Sequence, residues 1–183
     1  MNFIKNILTY FFCWEIVDEN NKKIIHLENA VYALYPHTSA WDLMLSFTVI
    51  KYNMFVIVKK NLNWLQYMGL PVFGINRENQ NQTKIIQKQL KNKSVAIWIS
   101  GTRKKNQYIR SGFYWIALKA EIPIYFVGVD WRTKTLHLSD KIDPSKTSKD
   151  EILIYLKKWS EKLDLQNAGL YSENASTLAW REN

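Results

Sequence analysis

Four near-continuous apolar runs of strand length, at residues 30–35, 54–58, 95–99 and 122–129, constrain this chain more than any other feature. Runs that are apolar throughout, rather than alternating with polar residues, belong to strands buried on both faces. Helical patterning separates them. Residues 41–52 carry apolar side chains at helical spacing, 80–90 place Ile86 and Leu90 four apart, and Ser111 opens a short helix through Ala120. Strands alternating with helices imply an α/β fold, a mostly parallel sheet flanked by helices on both faces. Ligands of such sheets bind beyond the carboxyl ends of the strands. Those ends carry His37, Lys59 and Lys60, Arg103 with Lys104 and Lys105, and Asp130: one candidate base within a ring of cations.

His37 and Asp42 flank the turn between the first run and its helix. Residues five apart within one α-helix point about 140° away from each other, so this pair can meet only across a turn. Pro36, Thr38 and Ser39 supply the turn chemistry. Across it, Asp42 could accept one ring N–H of His37 and leave the other nitrogen as a base for a substrate hydroxyl. A plainer reading stands beside this one. Ser39 is an acceptable N-cap, and an aspartate in a first helical turn is favoured by the helix dipole without catalysis.

At 183 residues the chain is long enough for one domain with a substantial core. Lys and Arg exceed Asp and Glu by nine, which points to an anionic partner: a phospholipid surface, a phosphorylated substrate or nucleic acid. No recognised nucleic-acid motif is present, so no nucleic acid is expected. Cys13 is the single cysteine and the three histidines are far apart, so neither a disulfide nor a metal site is expected. No run of eighteen apolar residues is present to span a bilayer. Instead, Phe3, Ile7, Tyr10 and Phe11 recur at three- and four-residue steps. They predict an N-terminal amphipathic helix over 1–17 that lies in a membrane interface or packs on the domain.

Residues 24–27 read as a short edge strand, and 133–138 as an antiparallel return. Ser148 to Glu151 is a capping box before a helix whose apolar stripe is Ile152, Leu156, Trp159 and Leu163. The expected domain runs over 18–165, followed by a loosely docked polar tail, 166–183.

In order and spacing, these pieces resemble the glycerophospholipid acyltransferases of the lysophosphatidate acyltransferase family, especially small bacterial members. The family's first block, Asn-His-Thr-Ser-x-Trp-Asp, matches 36–42 with only the residue before His37 changed. Gly74-Ile75-Asn76-Arg77 approximates its second block, Ser100-Gly101-Thr102-Arg103 its Glu-Gly-Thr-Arg, and Ile122-Pro123-Ile124 its Val-Pro-Ile strand. Residues 111–120 are similar to the helix between the last two blocks.

The resemblance implies a glycerolipid acyltransferase-like fold and an enzyme of phospholipid biosynthesis. Such an enzyme moves a fatty acyl group from acyl-CoA or acyl-carrier protein, as co-substrate, to a lysophospholipid hydroxyl, with no cofactor. It also implies a peripheral enzyme on the cytoplasmic face of an anionic membrane. His37 would be the general base, oriented by Asp42. Arg77 and Arg103 would hold the acceptor phosphate through their planar forks, and Lys60 could add a contact. Gly101 would permit a positive φ or close backbone approach, and its amide or that of Thr102 could serve the thioester oxyanion. Ser100 departs from the pattern, because the family has Glu there, associated with the acceptor's glycerol portion. A serine is shorter and uncharged, which implies another lysophospholipid or lipid alcohol as acceptor. The alternative is a non-catalytic phospholipid-binding module on the same fold, altered at Ser100.

Overall fold

In a computed structural model of the chain, the described residues are 14–20, 29–46, 54–76, 82–90, 93–101, 108–169, 179 and 180. Seven strands form one sheet: β1 (Glu15–Val17), β2 (Val31–Tyr35), β3 (Met54–Lys59), β4 (Val72–Ile75), β5 (Ser94–Trp98), β7 (Ile124–Asp130) and β8 (Thr135–Leu138). Their spatial order is β1-β8-β7-β2-β5-β3-β4. Strands β2, β3, β4, β5 and β7 run parallel, β8 is antiparallel to β7, and β1 is parallel to β8. All four apolar runs became strands, and β2, the first of them, lies buried between β5 and β7. The antiparallel return is β8. The predicted strand at 24–27 lies outside the described residues.

The strand pleat sends alternate side chains to opposite faces, and each face has its own core. Val31, Ala33, Tyr35, Val95 and Phe126 point to a layer made by α2 (Gln82–Leu90), α3 (Gly112–Ala120) and α4 (Lys149–Lys162), which bury Ile86, Phe113, Ile116, Ile152, Leu156 and Trp159. Tyr32, Leu34, Val56, Val58 and Trp98 point to the other layer, with Trp14 and with Leu45 of α1 (Trp41–Ser46). A nine-residue 3-10 helix, Lys60–Met68, completes that second layer through Leu62 and Leu65. The α4 capping box is formed, with Ser148 Oγ accepting from the Glu151 amide and the Glu151 carboxylate accepting from the Ser148 amide.

Two expectations change. Glu15, Ile16 and Val17 are not the end of an amphipathic helix but strand β1, whose backbone pairs with Thr135, Leu136 and His137. Residues 1–13 lie outside the described set. The tail from 166 is not loose where it is described. Ala168 is fully buried, and its carbonyl accepts from the Trp131 amide at 2.8 Å. Further on, β9 (Ala179–Trp180) pairs with β6 (Tyr108–Ile109), and the Trp180 ring packs near Phe113. Apolar Leu165, Ala168 and Trp180 within a polar composition drive that docking.

Candidate active site

Beyond Tyr35 the chain passes a cis Tyr35–Pro36 peptide and turns into α1. Asp42, in the first turn of α1, is fully buried, so its carboxylate must be satisfied by the protein. One oxygen, Oδ2, accepts from the amides of Thr38 at 2.6 Å and Ser39 at 2.7 Å, and from His37 Nδ1 at 3.0 Å. The other, Oδ1, accepts from Trp131 Nε1 at 2.9 Å. Ser39 Oγ accepts from the Trp41 amide at 3.1 Å, so Ser39 satisfies the first amide of the helix from one residue before the N-cap position, Ala40. The helix-end contacts and the histidine contact therefore coexist, and the plain reading of Asp42 does not displace the chemical one.

A carboxylate oxygen can only accept, so Nδ1 of His37 carries the proton of this bond, and in the neutral ring Nε2 holds the lone pair. Among the described residues, none donates to Nε2. The ring stacks on Trp98 with centroids 4.6 Å apart and planes 26° from parallel. Its side chain is 17 % exposed, so the ring is held on one face by Trp98 and remains reachable from solvent. Trp98 ends β5, so two neighbouring strands fix the imidazole.

Trp131, just beyond β7, adds a donor to the carboxylate from the other neighbouring strand. Its indole packs edge-on against Trp14 at 5.0 Å, while its amide is held by Ala168. The next residue in that segment, Gly169, passes so close to Thr38 that a Cβ would overlap the threonine side chain. Thus residues far apart in the chain clamp the turn whose amides hold Asp42. Sequence reasoning missed Trp131. The one available signal was its place directly after Asp130, at the carboxyl end of a strand-length run.

The remaining site candidates fall differently. Gly101 adopts φ 65°, the left-handed conformation expected of it. Its amide, however, donates to the Trp98 carbonyl at 3.1 Å, closing a turn. That turn bond is where the Gly101 amide is directed in this structure. Ser100 is buried in the turn that follows β5. Lys60 is exposed at the end of β3, two strand positions from β2 and so roughly 10 Å across the sheet. Arg77, Thr102 and Arg103 lie outside the described residues. Asp130 is paired with an arginine of its own turn. Its carboxylate accepts from Nε and Nη2 of Arg132 at 3.1 and 2.9 Å, and Arg132 Nη1 reaches Asp164. Burial alone would raise the Asp130 carboxyl, but the hydrogen bonds and charge of Arg132 outweigh it and hold that carboxyl below its usual range. Among the described residues no group of three His, Cys, Asp or Glu could hold a metal ion.

No protein-family model matches the chain, and no curated protein matches it significantly. Among solved structures it is similar to the 1-acyl-sn-glycerophosphate (LPA) acyltransferase PlsC from Thermotoga maritima. The likeness covers 93 % of this chain and 80 % of that one, at 19 % identity and a TM-score of 0.62. The chain therefore has the α/β fold of a lysophosphatidate acyltransferase.

Proposed function

We propose that this protein is an acyltransferase that moves a fatty acyl group from acyl-CoA or acyl-carrier protein to the hydroxyl of a lysophospholipid. The observation that carries the proposal is His37 Nδ1 on the buried Asp42, at the carboxyl end of a strand in the middle of a sheet shaped like that of PlsC. Nε2 takes the proton of the acceptor hydroxyl as its oxygen attacks the thioester carbonyl. The imidazolium then returns that proton to the departing thiolate, so no enzyme-bound acyl group is needed. A positioned base contributes on the order of 10²- to 10⁴-fold, and Asp42 stabilises the transient imidazolium while holding the ring in place.

Arg77 and Arg103 are assigned to the acceptor phosphate and the Thr102 amide to the oxyanion, with Lys60 as an outer phosphate contact. Ser100 brings no charge, so the acceptor is a lysophospholipid or lipid alcohol whose glycerol end needs no carboxylate from this position. The enzyme works at an anionic membrane surface, on the cytoplasmic face.

The test is acyl transfer from labelled acyl-CoA and acyl-carrier protein to a panel of lysophospholipids, with wild type and His37→Ala side by side. Activity on one acceptor that falls at least 10²-fold in His37→Ala is the expected outcome. Folded protein inactive with every donor and acceptor would overturn the proposal and favour the non-catalytic phospholipid-binding module.

A further inference from the structure

The 3-10 helix Lys60–Met68 has three residues per turn, so its side chains fall into three straight ridges. One ridge, Leu62 and Leu65, packs into the core layer beside it. A second, Asn63 and Gln66, covers the outer edge of β4. Asn63 Oδ1 accepts from the Gly74 amide, and Gln66 Nε2 donates to the Val72 carbonyl. An edge strand needs such cover, so these two ridges are accounted for by the fold. The third ridge is not. It carries Trp64 at 53 % exposure and Tyr67 at 94 %, while Met68, 64 % exposed, ends the Leu62 and Leu65 ridge beside it.

We infer that this ridge is an interfacial anchor that docks on an anionic bilayer surface. Trp and Tyr are the side chains that settle at the level of lipid head groups, apolar body inward and polar tip wet. Charge identifies the occupant. Exposed Lys59 and Lys60 open the helix, and no acidic residue occurs in the chain between Asp42 and Glu78, whereas Lys51, Lys59, Lys60 and Arg77 do. A helix capped at Gly69 in the left-handed conformation, with its amide on the Gln66 carbonyl, presents the ridge already ordered. Docking then orders little new chain. Trp64 and Tyr67 lie about 8 and 14 Å along the axis from Lys60, and Lys60 stands at the carboxyl edge of the sheet that holds His37. Docked along its length, the helix brings that edge to the head-group plane. The proposal rests on the lipid-acceptor reading only for its purpose, since binding is measured without acyl donor.

The experiment is co-sedimentation of the full chain with vesicles of phosphatidylcholine, alone or with phosphatidylglycerol, comparing wild type, Trp64→Ser/Tyr67→Ser and Trp115→Ser. Trp115 is 43 % exposed on α3, across the sheet, and serves as the control. The expected result is binding that requires phosphatidylglycerol and weakens with salt. It drops at least tenfold in the double variant and less than twofold in Trp115→Ser. Acyl transfer to a monomeric, dispersed acceptor then stays at the wild-type level in the double variant, so a failed anchor is distinguished from a failed catalyst. Wild type that does not bind, or a double variant that binds as wild type does, overturns the inference. So does a wild-type dimer in light scattering that the double variant converts to monomer, which would make the ridge a contact between two copies.

Discussion

Asp42 and Asp130 are both buried aspartates at the carboxyl edge of the sheet, and they are satisfied in opposite ways. Asp130 is neutralised by Arg132, whose own guanidinium is held more firmly protonated by that carboxylate and which also reaches Asp164 at the end of α4. This is a fixed charge pair that ties the β7–β8 turn to a helix. Asp42 instead gathers two backbone amides, an indole N–H and an imidazole. Among these described donors, the imidazole is the one whose charge can change. A carboxylate held this way is arranged for a cation that appears during a reaction and then leaves, whereas one paired with a guanidinium is not. Burial and strand-end position are shared by both residues; the partner distinguishes them, and the proposed catalysis rests on the one that holds an imidazole.

The sharpest way to break this comparison is to neutralise each carboxylate in turn. Asp42→Asn should lower kcat on the order of 10²-fold or more, because the amide no longer supports the imidazolium and favours the wrong tautomer. Asp130→Asn should leave kcat within about threefold and instead lower stability by roughly 1–3 kcal/mol in urea titration. That figure sits below the cost of breaking a fully buried pair because Arg132 is 42 % exposed and screened. Similar kcat losses in both variants would erase the distinction. Trp131→Phe keeps the ring against Trp14 but removes one donor from Asp42. The carboxylate then loses one of the contacts that fix it beside His37, so kcat should fall roughly three- to tenfold while KM stays within about twofold. A kcat at the wild-type level would reduce Trp131 to packing.

The smallest effect concerns His137 on β8, which burial holds below its ordinary value of 6.5, with Asp130 opposing and Arg132 adding to the shift. The unfolded chain binds this proton more readily, so stability should fall as pH drops through 6.5 and level off below the folded value. Asp130 remains ionised in folded and unfolded chains above pH 5, so it does not contribute there. In His137→Gln, urea titrations at pH 7.5 and 5.5 should differ less than in wild type. An unchanged difference would place the dependence elsewhere.

Much of the frame could be read from the sequence, because buried parallel strands are long uniform runs and β2, β3, β5 and β7 are such runs. The pairing of His37 with Asp42 was legible for a local reason: both lie within one turn. Trp131 was not, since its hydrogen bond spans 89 residues and exists only because β7 lies next to β2. Glu15–Val17 was misread because three residues are too few to show a strand period, and a helical spacing upstream ran into them. The 3-10 helix escaped notice because its ridges repeat every three residues rather than every 3.6. Gly101 shows a different limit: its conformation followed from its type, but the use of its amide depended on which carbonyl the turn brought near.

The most direct measurement is the tautomer of His37, read from ¹⁵N shifts of labelled histidine on the alkaline side of its titration, with a His37→Gln sample for assignment. The expected result is a protonated Nδ1 and a bare Nε2, converting to the other or a mixed tautomer in Asp42→Asn. A proton resident on Nε2 in the wild type would contradict the role of His37 as the base, since the nitrogen facing the substrate would then have no lone pair to offer.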